Sequence, residues 1–470
     1  MTYNKITASI LKKLQQIVGE AYVLADPESL ANYGHDETEK LLYLPEVVVK
    51  PRTAVEISEL LQIANTELIT VTARGAGTGL SGGALPVYGG IILSMERFNK
   101  IIEIDTRNLQ ATVEPGVINE AFQNEVKEVG LFYPPDPASK GSCFLGGNVA
   151  ESSGGPKCVK YGTTKDYILN LEVVLPTGEI INTGANTLKN STGYNLTQLM
   201  VGSEGTLGIV TKIIVRLLPY PKHNLLILVP FKNLDEACIA VSEVFRAGFI
   251  PSAMELMERD ALDWVSRHVE STAVKIEDDV QAHLLIEMDG NDLDVLMKEI
   301  EAIAELMGRY DTSDILFADS EAQKQELWKL RRKINEAVTA NAISKEQDTV
   351  VPRAELPKLV RGVKKIGEQY KFKSVCYGHA GDGNLHIRII KGDLTDEQWN
   401  GAYIKKAIAE IFTLCKQLNG TISGEHGIGL IQQEYMGIVF SEKAIELQKG
   451  IKKVFDPNTI LNPGKMFGIQ

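Results

Sequence analysis

The sequence predicts an α+β protein of two domains. A chain of 470 residues is too long to close around one hydrophobic core. Short apolar runs and glycine-rich loops alternate as far as Leu217, after which Pro219 and Pro221 break the chain. Beyond Pro221 the glycine loops give way to strand–helix alternation, the pattern of one sheet covered by helices. The boundary is accordingly placed near residue 220, with 1–221 as the first domain and 222–450 as the second.

In chain order, Ile6, Ile10, Leu11, Leu14 and Ile17 have the spacing of an amphipathic lead helix over 6–19. Thr53, with Glu56 three residues later, reads as a capping box opening the next helix. A strand at 68–72 runs into the glycine-rich stretch Arg74 to Gly83. Strands follow at 91–93, 101–104 and 111–113, then a helix after Gly116 and a second glycine-rich block over 141–155. Strands at 168–175 and 178–181 read as a hairpin through Pro176-Thr177-Gly178. A third glycine cluster, Gly202 to Gly208, leads into a strand at 209–217. In the second domain, strands at 225–229 and 282–287 alternate with helices at 234–246 and 293–307. Helices at 320–341 and 354–369, two motif-bearing strands and a helix at about 395–418 complete it.

Composition narrows the function. With 44% hydrophobic and 23% charged residues the chain is an ordinary globular sequence. A net charge of −12 argues against nucleic acid as a partner, because phosphate binding wants a basic surface. No apolar run approaches the roughly 20 residues of a membrane span, and Met1 to Leu14 lacks the features of a secretory signal, so cytoplasmic residence is expected. The five cysteines are dispersed without a Cys-x-x-Cys pair, which speaks for reduced thiols and against a disulfide framework or an iron–sulfur cluster.

Two kinds of motif carry chemistry. His379-Ala380-Gly381-Asp382-Gly383-Asn384-Leu385-His386 and Ser423-Gly424-Glu425-His426-Gly427 together offer two imidazoles and a carboxylate beside another histidine. That is a first shell for a divalent ion with an open position; zinc, manganese and iron all suit it. Alone it would suit a zinc hydrolase, and each histidine alone would suit a satisfied core residue. His35, His223, His268 and His283 have no such company. Gly77-Thr78-Gly79-Leu80-Ser81-Gly82 spells G-x-G-x-x-G, yet Gly83-Ala84-Leu85-Pro86 follows, which no helix would tolerate. It reads as a loop of backbone N–H groups able to cradle a pyrophosphate, with a plain surface loop as the alternative. Three glycine-rich stretches in one domain point to backbone packed against something long and flat, which a flavin dinucleotide fits.

The ordered series Arg74-Gly75-x-Gly77-Thr78-Gly79, Val113-Glu114-Pro115-Gly116-Val117, Pro134-Pro135-Asp136-Pro137, Gly146-Gly147-Asn148-Val149-Ala150, Lys160-Tyr161-Gly162 and Gly202-Ser203-Glu204-Gly205-Thr206-Leu207-Gly208-Ile209 resembles the FAD-linked oxidases of the vanillyl-alcohol-oxidase type. The second-half motifs, with Phe455-Asp456-Pro457-Asn458 and Asn462-Pro463-Gly464-Lys465, resemble its 2-hydroxy-acid branch, which holds glycolate oxidase flavoprotein subunits and D-lactate and D-2-hydroxyglutarate dehydrogenases. The resemblance implies a two-part FAD-binding domain of the PCMH type and an α+β cap with an antiparallel sheet, the tail 451–470 returning to the FAD domain. It implies non-covalent FAD lined by Arg74, Gly75, Ala76, Gly77, Thr78, Gly79, Pro135, Gly146, Gly147, Asn148, Gly154, Gly155, Gly162, Gly205, Ile209 and Asn462. Cys143 and Cys158 lack the context of covalent flavin attachment.

By the same resemblance His379, His386 and Glu425 hold a divalent metal, often zinc, and His426 is the base. Arg331 matches the clamp for the substrate carboxylate and Asn335 a partner of its hydroxyl, while Arg388 departs from the pattern at a position that would touch the substrate's far end and could grip a second carboxylate. The implied reaction is oxidation of a short D-2-hydroxy acid, D-lactate or glycolate, to the 2-oxo acid, with hydride transfer to flavin and metal-assisted deprotonation. D-2-hydroxyglutarate is the alternative; its enzymes carry asparagine where this chain has Arg388, and a lysine near Lys345-Glu346-Gln347-Asp348. Electrons would leave to a quinone, a cytochrome, an electron-transfer flavoprotein or an iron–sulfur subunit, and any membrane attachment would run through such a partner. A homodimer is an open option, and a non-catalytic electron-transfer flavoprotein subunit is the rival of another class.

Overall fold

The computed structural model describes residues 2–38, 41–268 and 276–468. They form two compact units, Met1–Gly154 with Thr163–Tyr220 and Glu425–Gln470, and Gly155–Gly162 with Pro221–Gly424.

Among the described residues the first unit contains a four-stranded sheet, a five-stranded sheet and a two-stranded ribbon of Leu131–Phe132 with Leu218–Pro219. In the four-stranded one the order is Val23–Leu24, Val47–Val49, Ile91–Ser94, Val71–Arg74, with the last three strands parallel. Val47–Val49 and the first three residues of Ile91–Ser94 read as unbroken apolar runs because they are buried, as parallel strands generally are. Ile10, Leu14, Ile57, Leu60 and Leu61 from the helices Ala8–Val18 and Ala54–Thr66 pack with Val47, Val49, Ile91 and Leu93 in one core. Thr53 caps the second helix through Glu56 N–H at 3.1 Å, while the Glu56 carboxylate accepts from Arg52 N–H, one residue upstream of a closed box. The five-stranded sheet is antiparallel, in the order Ile101–Asp105, Gln110–Val113, Ile209–Arg216, Ile168–Val174, Ile180–Asn182.

Two of the differences from the sequence reading bear on how the site is placed. The second glycine block contains a helix, Leu145–Glu151. The chain also rejoins the unit at Glu425 rather than at residue 451. There the N–H groups of Ile428 and Gly429 donate to the Glu204 carboxylate and Leu430 N–H donates to Ser81 O, stitching the segment down. Further on, Val71 N–H donates to Ile460 O and Asn462 N–H to Val71 O, both at 2.8 Å, setting the tail beside the first sheet.

The second unit is built on a seven-stranded, wholly antiparallel sheet. Its order is Leu316–Ala318, His223–Phe231, Ala282–Gly290, Ala253–Glu258, Lys373–His379, Asn384–Ile390, Ser344–Val350. Helices Leu234–Arg246 and Leu293–Met307 coincide with the sequence expectation. The long helix expected over 320–341 is divided at Lys333, and the one expected near 395–418 at Gly401. The excursion 155–162 belongs here because Lys157 pairs with Glu287, and Lys160 and Tyr161 bond to Asp289 at 2.6 and 2.9 Å. Among the described residues no helix is long and apolar enough to cross a membrane.

Candidate active site

In the second unit, one sheet face gathers an unusual set of polar side chains. Directly opposed residues of neighbouring antiparallel strands share a face, as do residues two apart. The register pairs Glu346 with Arg388, Asp348 with His386, His386 with Tyr377, and Asn384 with His379. The hairpin carrying both histidines turns at Gly383, whose φ is +84°; a Cβ there would stand 1.9 Å from Val351 O, so the position requires glycine.

The two imidazoles lie edge to face, ring centroids 5.4 Å apart, and both are buried. His379 Nδ1 is 2.7 Å from Glu255 Oε1. With the proton on Nδ1, Nε2 is left to coordinate, the tautomer a metal-bound histidine needs. Glu255 is fully buried and its other oxygen accepts from Arg331 Nε at 2.7 Å. Burial pushes the Glu255 carboxyl up, but the charges and hydrogen bonds of His379 and Arg331 outweigh it and hold its pKa at about 2.

Arg331 spends only Nε on this pair; its two terminal nitrogens make no hydrogen bond among the described residues. A guanidinium whose fork end is open, beside two imidazoles, can hold a carboxylate bidentately. Asn335 takes donors from Tyr377 and Arg388 on its oxygen, which leaves its amide nitrogen as a donor. Arg388 pairs with Glu346 Oε2 at 2.5 Å, and Glu346 Oε1 is 3.4 Å from His386 Nδ1.

Asp348, also fully buried, accepts from Asn384 Nδ2 at 2.7 Å, Ser423 Oγ at 3.0 Å and Gly424 N–H at 2.7 Å. It thereby fixes the backbone up to the residue before Glu425. A Cβ on Gly424 would stand 2.7 Å from Val350 and 2.8 Å from Asn384, so this approach also needs glycine. Glu425 and His426 open the last segment of the first unit, with His426 Nε2 3.9 Å from Glu425 Oε1.

In the first unit, Arg74 ends a strand and donates to His35 O at 2.7 Å. Its guanidinium fills the place of a Gly77 side chain, 2.2 Å from where Cβ would stand. Gly75 packs on Phe144, and Ala76 and Thr78 complete this half-buried loop. At Gly79 and Gly147, by contrast, nothing lies within 4 Å of a Cβ position, so bare backbone fronts open space. Such a cradle fits the extended, flat shape of a dinucleotide.

Asn148 Nδ2 donates to Asn119 Oδ1 and Asn119 Nδ2 to Pro135 O, both at 3.1 Å, so a buried amide links two of the expected positions. Asn462 donates to Glu204 O at 2.8 Å and Gly83 O at 2.9 Å, beside Gly205. Ile209 lies in the core and Gly154 is buried. Gly155 and Gly162, at φ +130° and +85°, delimit the excursion that packs with the second unit.

The sequence reading did not single out Glu255, Glu346, Asp348, Glu151 or Lys465. Glu151 is half-buried; burial of its carboxyl and then the neighbouring Glu204 and Asp36 push that carboxyl well up. Lys465, donating to Leu85 O at 2.6 Å and Asn462 Oδ1 at 3.0 Å, is brought down to about 8 by burial despite the same three carboxylates. Lys465 had a signal as the last residue of the Asn462-Pro463-Gly464-Lys465 motif, and Glu346 and Asp348 lay in the quoted segment Lys345-Glu346-Gln347-Asp348 without a role of their own.

Residues 45–184 match the FAD binding domain model and residues 220–466 the C-terminal domain model of the FAD linked oxidases. The glycolate oxidase subunit GlcD of Bacillus subtilis is 37% identical over 98% of this chain and 97% of its own length. The D-lactate dehydrogenase of Anaerostipes hadrus is 35% identical over 99% and 98%, and the D-2-hydroxyglutarate dehydrogenase of Xanthomonas citri pv. viticola 34% over 97% and 96%. Among solved structures, p-cresol methylhydroxylase superposes with a TM-score of 0.80 at 17% identity, over 98% of this chain and 96% of that one. The 4-ethylphenol oxidase of Gulosibacter chungangensis gives 0.78 at 19%, over 100% and 99%, so the fold of the vanillyl-alcohol-oxidase type is shared. On the family models and the full-length relatives together, the chain belongs to the FAD-linked oxidases and is an FAD-dependent oxidoreductase.

Proposed function

We propose that this flavoprotein dehydrogenates a short D-2-hydroxy acid, D-lactate or glycolate, to the 2-oxo acid. The observation that carries the reading is Arg331, whose open guanidinium end stands beside the His379–Glu255 pair. Similarity to proteins named glycolate oxidase subunit and D-lactate dehydrogenase supports it. In this reading Arg331 binds the substrate carboxylate and Asn335 donates to the hydroxyl oxygen. His379, His386 and Glu425 hold a divalent ion, zinc, manganese or iron, and the two buried imidazoles fit that task. Bound FAD supplies the two-electron acceptor, and the ion supplies a Lewis acid that acidifies the hydroxyl. His426 takes the hydroxyl proton while the Cα hydrogen leaves with its electron pair and the C–O bond becomes C=O.

The residues expected to line FAD keep that role: the loop Arg74 to Gly79, Pro135, Gly146 to Asn148, Gly154, Gly155, Gly162, Gly205, Ile209 and Asn462. In this reading the cofactor is held non-covalently, without a bond to Cys143 or Cys158. Electrons then pass to an external quinone, cytochrome, flavoprotein or iron–sulfur partner, and dispersed free thiols suit a reducing cytoplasm. Anaerobic mixing with D-lactate or glycolate should bleach the visible flavin band. His426→Ala should keep the band and lose the bleaching. An unbleached wild type would sink the dehydrogenase reading, and an unaffected variant would favour a non-catalytic electron-transfer subunit.

A further inference from the structure

We propose that Glu346 restricts the site to substrates with one carboxylate, by occupying the arginine that could otherwise hold a second. The inference rests on the 2-hydroxy-acid reading above and names the substrate class within it.

Two guanidinium groups reach the polar sheet face, and they differ in what they have left to give. Arg331 gives Nε to Glu255 and keeps both terminal nitrogens without a partner among the described residues. Arg388 is engaged through both of its terminal nitrogens. It stands directly opposite Glu346 on the adjacent strand, with Nη2 2.5 Å from Oε2. The same nitrogen donates to Asn335 Oδ1, and Nη1 donates to Ser344 Oγ at 3.3 Å. The Arg388 and Glu346 side chains are only 7% and 13% exposed, so solvent screens the pair little. A guanidinium so engaged offers no bidentate edge to an incoming carboxylate.

Glu346 adds a second barrier, because its negative charge lies 3.4 Å from His386 Nδ1, close to where substrate would be held. A carboxylate at the far end of a substrate would meet like charge and find no free cation, which is discrimination by repulsion as well as by lost attraction. The substrate therefore carries one carboxylate, at Arg331, and an uncharged group at its other end.

Glu346→Gln removes the charge, keeps the shape and releases Arg388. Two quantities would be compared between wild type and variant. One is anaerobic flavin reduction by D-lactate against D-malate and D-2-hydroxyglutarate. The other is the affinity of the oxidised protein for pyruvate against oxaloacetate, read without turnover from the shift of the flavin spectrum. The diacid-to-monoacid ratio should rise about tenfold or more in the variant, and fall back in Glu346→Gln/Arg388→Gln because Arg388 is the new partner. An unchanged ratio, a gain that survives loss of Arg388, or a wild type that prefers diacids overturns the proposal. Retained flavin reports folding, and Glu346→Ser provides the same ratios should the glutamine variant lose its flavin. If neither class of acid reduces the wild-type flavin, the dehydrogenase reading falls while the binding ratio still decides on Glu346.

Discussion

Glu255 and His283 sit on adjacent strands, both buried, and their surroundings treat them in opposite ways. Glu255 has a cation and an imidazole on its two oxygens and stays ionised. His283 Nδ1 has no hydrogen-bond partner among the described residues, and burial, then the Arg259 charge, lower its pKa from 6.5 to about 4. Nothing in the sequence separates the two cases. The histidine motif was legible because two histidines flank a glycine-rich turn, whereas Glu255 is one acid in an apolar run, drawn to His379 only by the Met257–Tyr377 register.

The His283 shift makes a signed prediction. As pH falls below 6.5 the unfolded chain protonates at this position first, so stability is lost between pH 6.5 and about 4 and is whole above 6.5. The effect amounts to at most about 3 kcal/mol. His283→Phe should flatten the stability profile from urea unfolding across that window, and a profile of unchanged slope would exclude this origin.

At the scale of elements, the strand Ser344–Val350 and the helix Leu145–Glu151 were not legible. The strand reads Ser-Lys-Glu-Gln-Asp-Thr-Val, and a polar run signals a loop unless its partners are known. Those partners are the cation and the imidazole of the neighbouring strand, Arg388 and His386. The helix has adjacent glycines near its start, which local propensity disfavours, and tertiary packing explains one of them. A Cβ on Gly146 would stand 2.6 Å from Pro115 Cβ and 3.0 Å from its carbonyl oxygen, while one on Gly147 would meet nothing within 4 Å.

The two glycines should therefore respond differently to alanine. Gly146→Ala should cost about 1–3 kcal/mol of stability through overpacking, with or without cofactor. Gly147→Ala should leave the apoprotein as stable as before, or firmer by up to about 1 kcal/mol from helix propensity, yet weaken FAD binding. Apoprotein melting curves and FAD titrations separate these outcomes. Parental FAD affinity in Gly147→Ala would remove that glycine from the flavin's lining.

For the whole molecule, the fold class followed from texture. Glycine loops end and strand–helix alternation begins at Pro219-Tyr220-Pro221, where the compact units also divide. The chain's other crossings left no local trace. The excursion 155–162 is fixed by Lys157 and Lys160 reaching Glu287 and Asp289, and the return at Glu425 by backbone bonds to Glu204. Both depend on residues more than a hundred positions away, beyond any window of periodicity.

This division would make FAD and the proposed metal ion separable. The glycine cradle at Gly79 and Gly147 belongs to the first unit and the imidazole pair to the second. A ligand stabilises what it binds by RT ln(1 + [L]/Kd), about 2.7 kcal/mol at a hundredfold excess over Kd. Dialysis against a chelator should leave the flavin spectrum intact while D-lactate no longer bleaches it, and zinc or manganese should restore the bleaching. Removing FAD should lower the melting temperature, yet cobalt added to the apoprotein should still develop the visible absorption of a histidine-ligated ion. Flavin released together with the metal, or bleaching that survives chelation, would show that the imidazole pair does not hold the ion used in the reaction. Loss of the cobalt spectrum in His379→Ala, with FAD binding unchanged, would tie that ion to this face of the sheet.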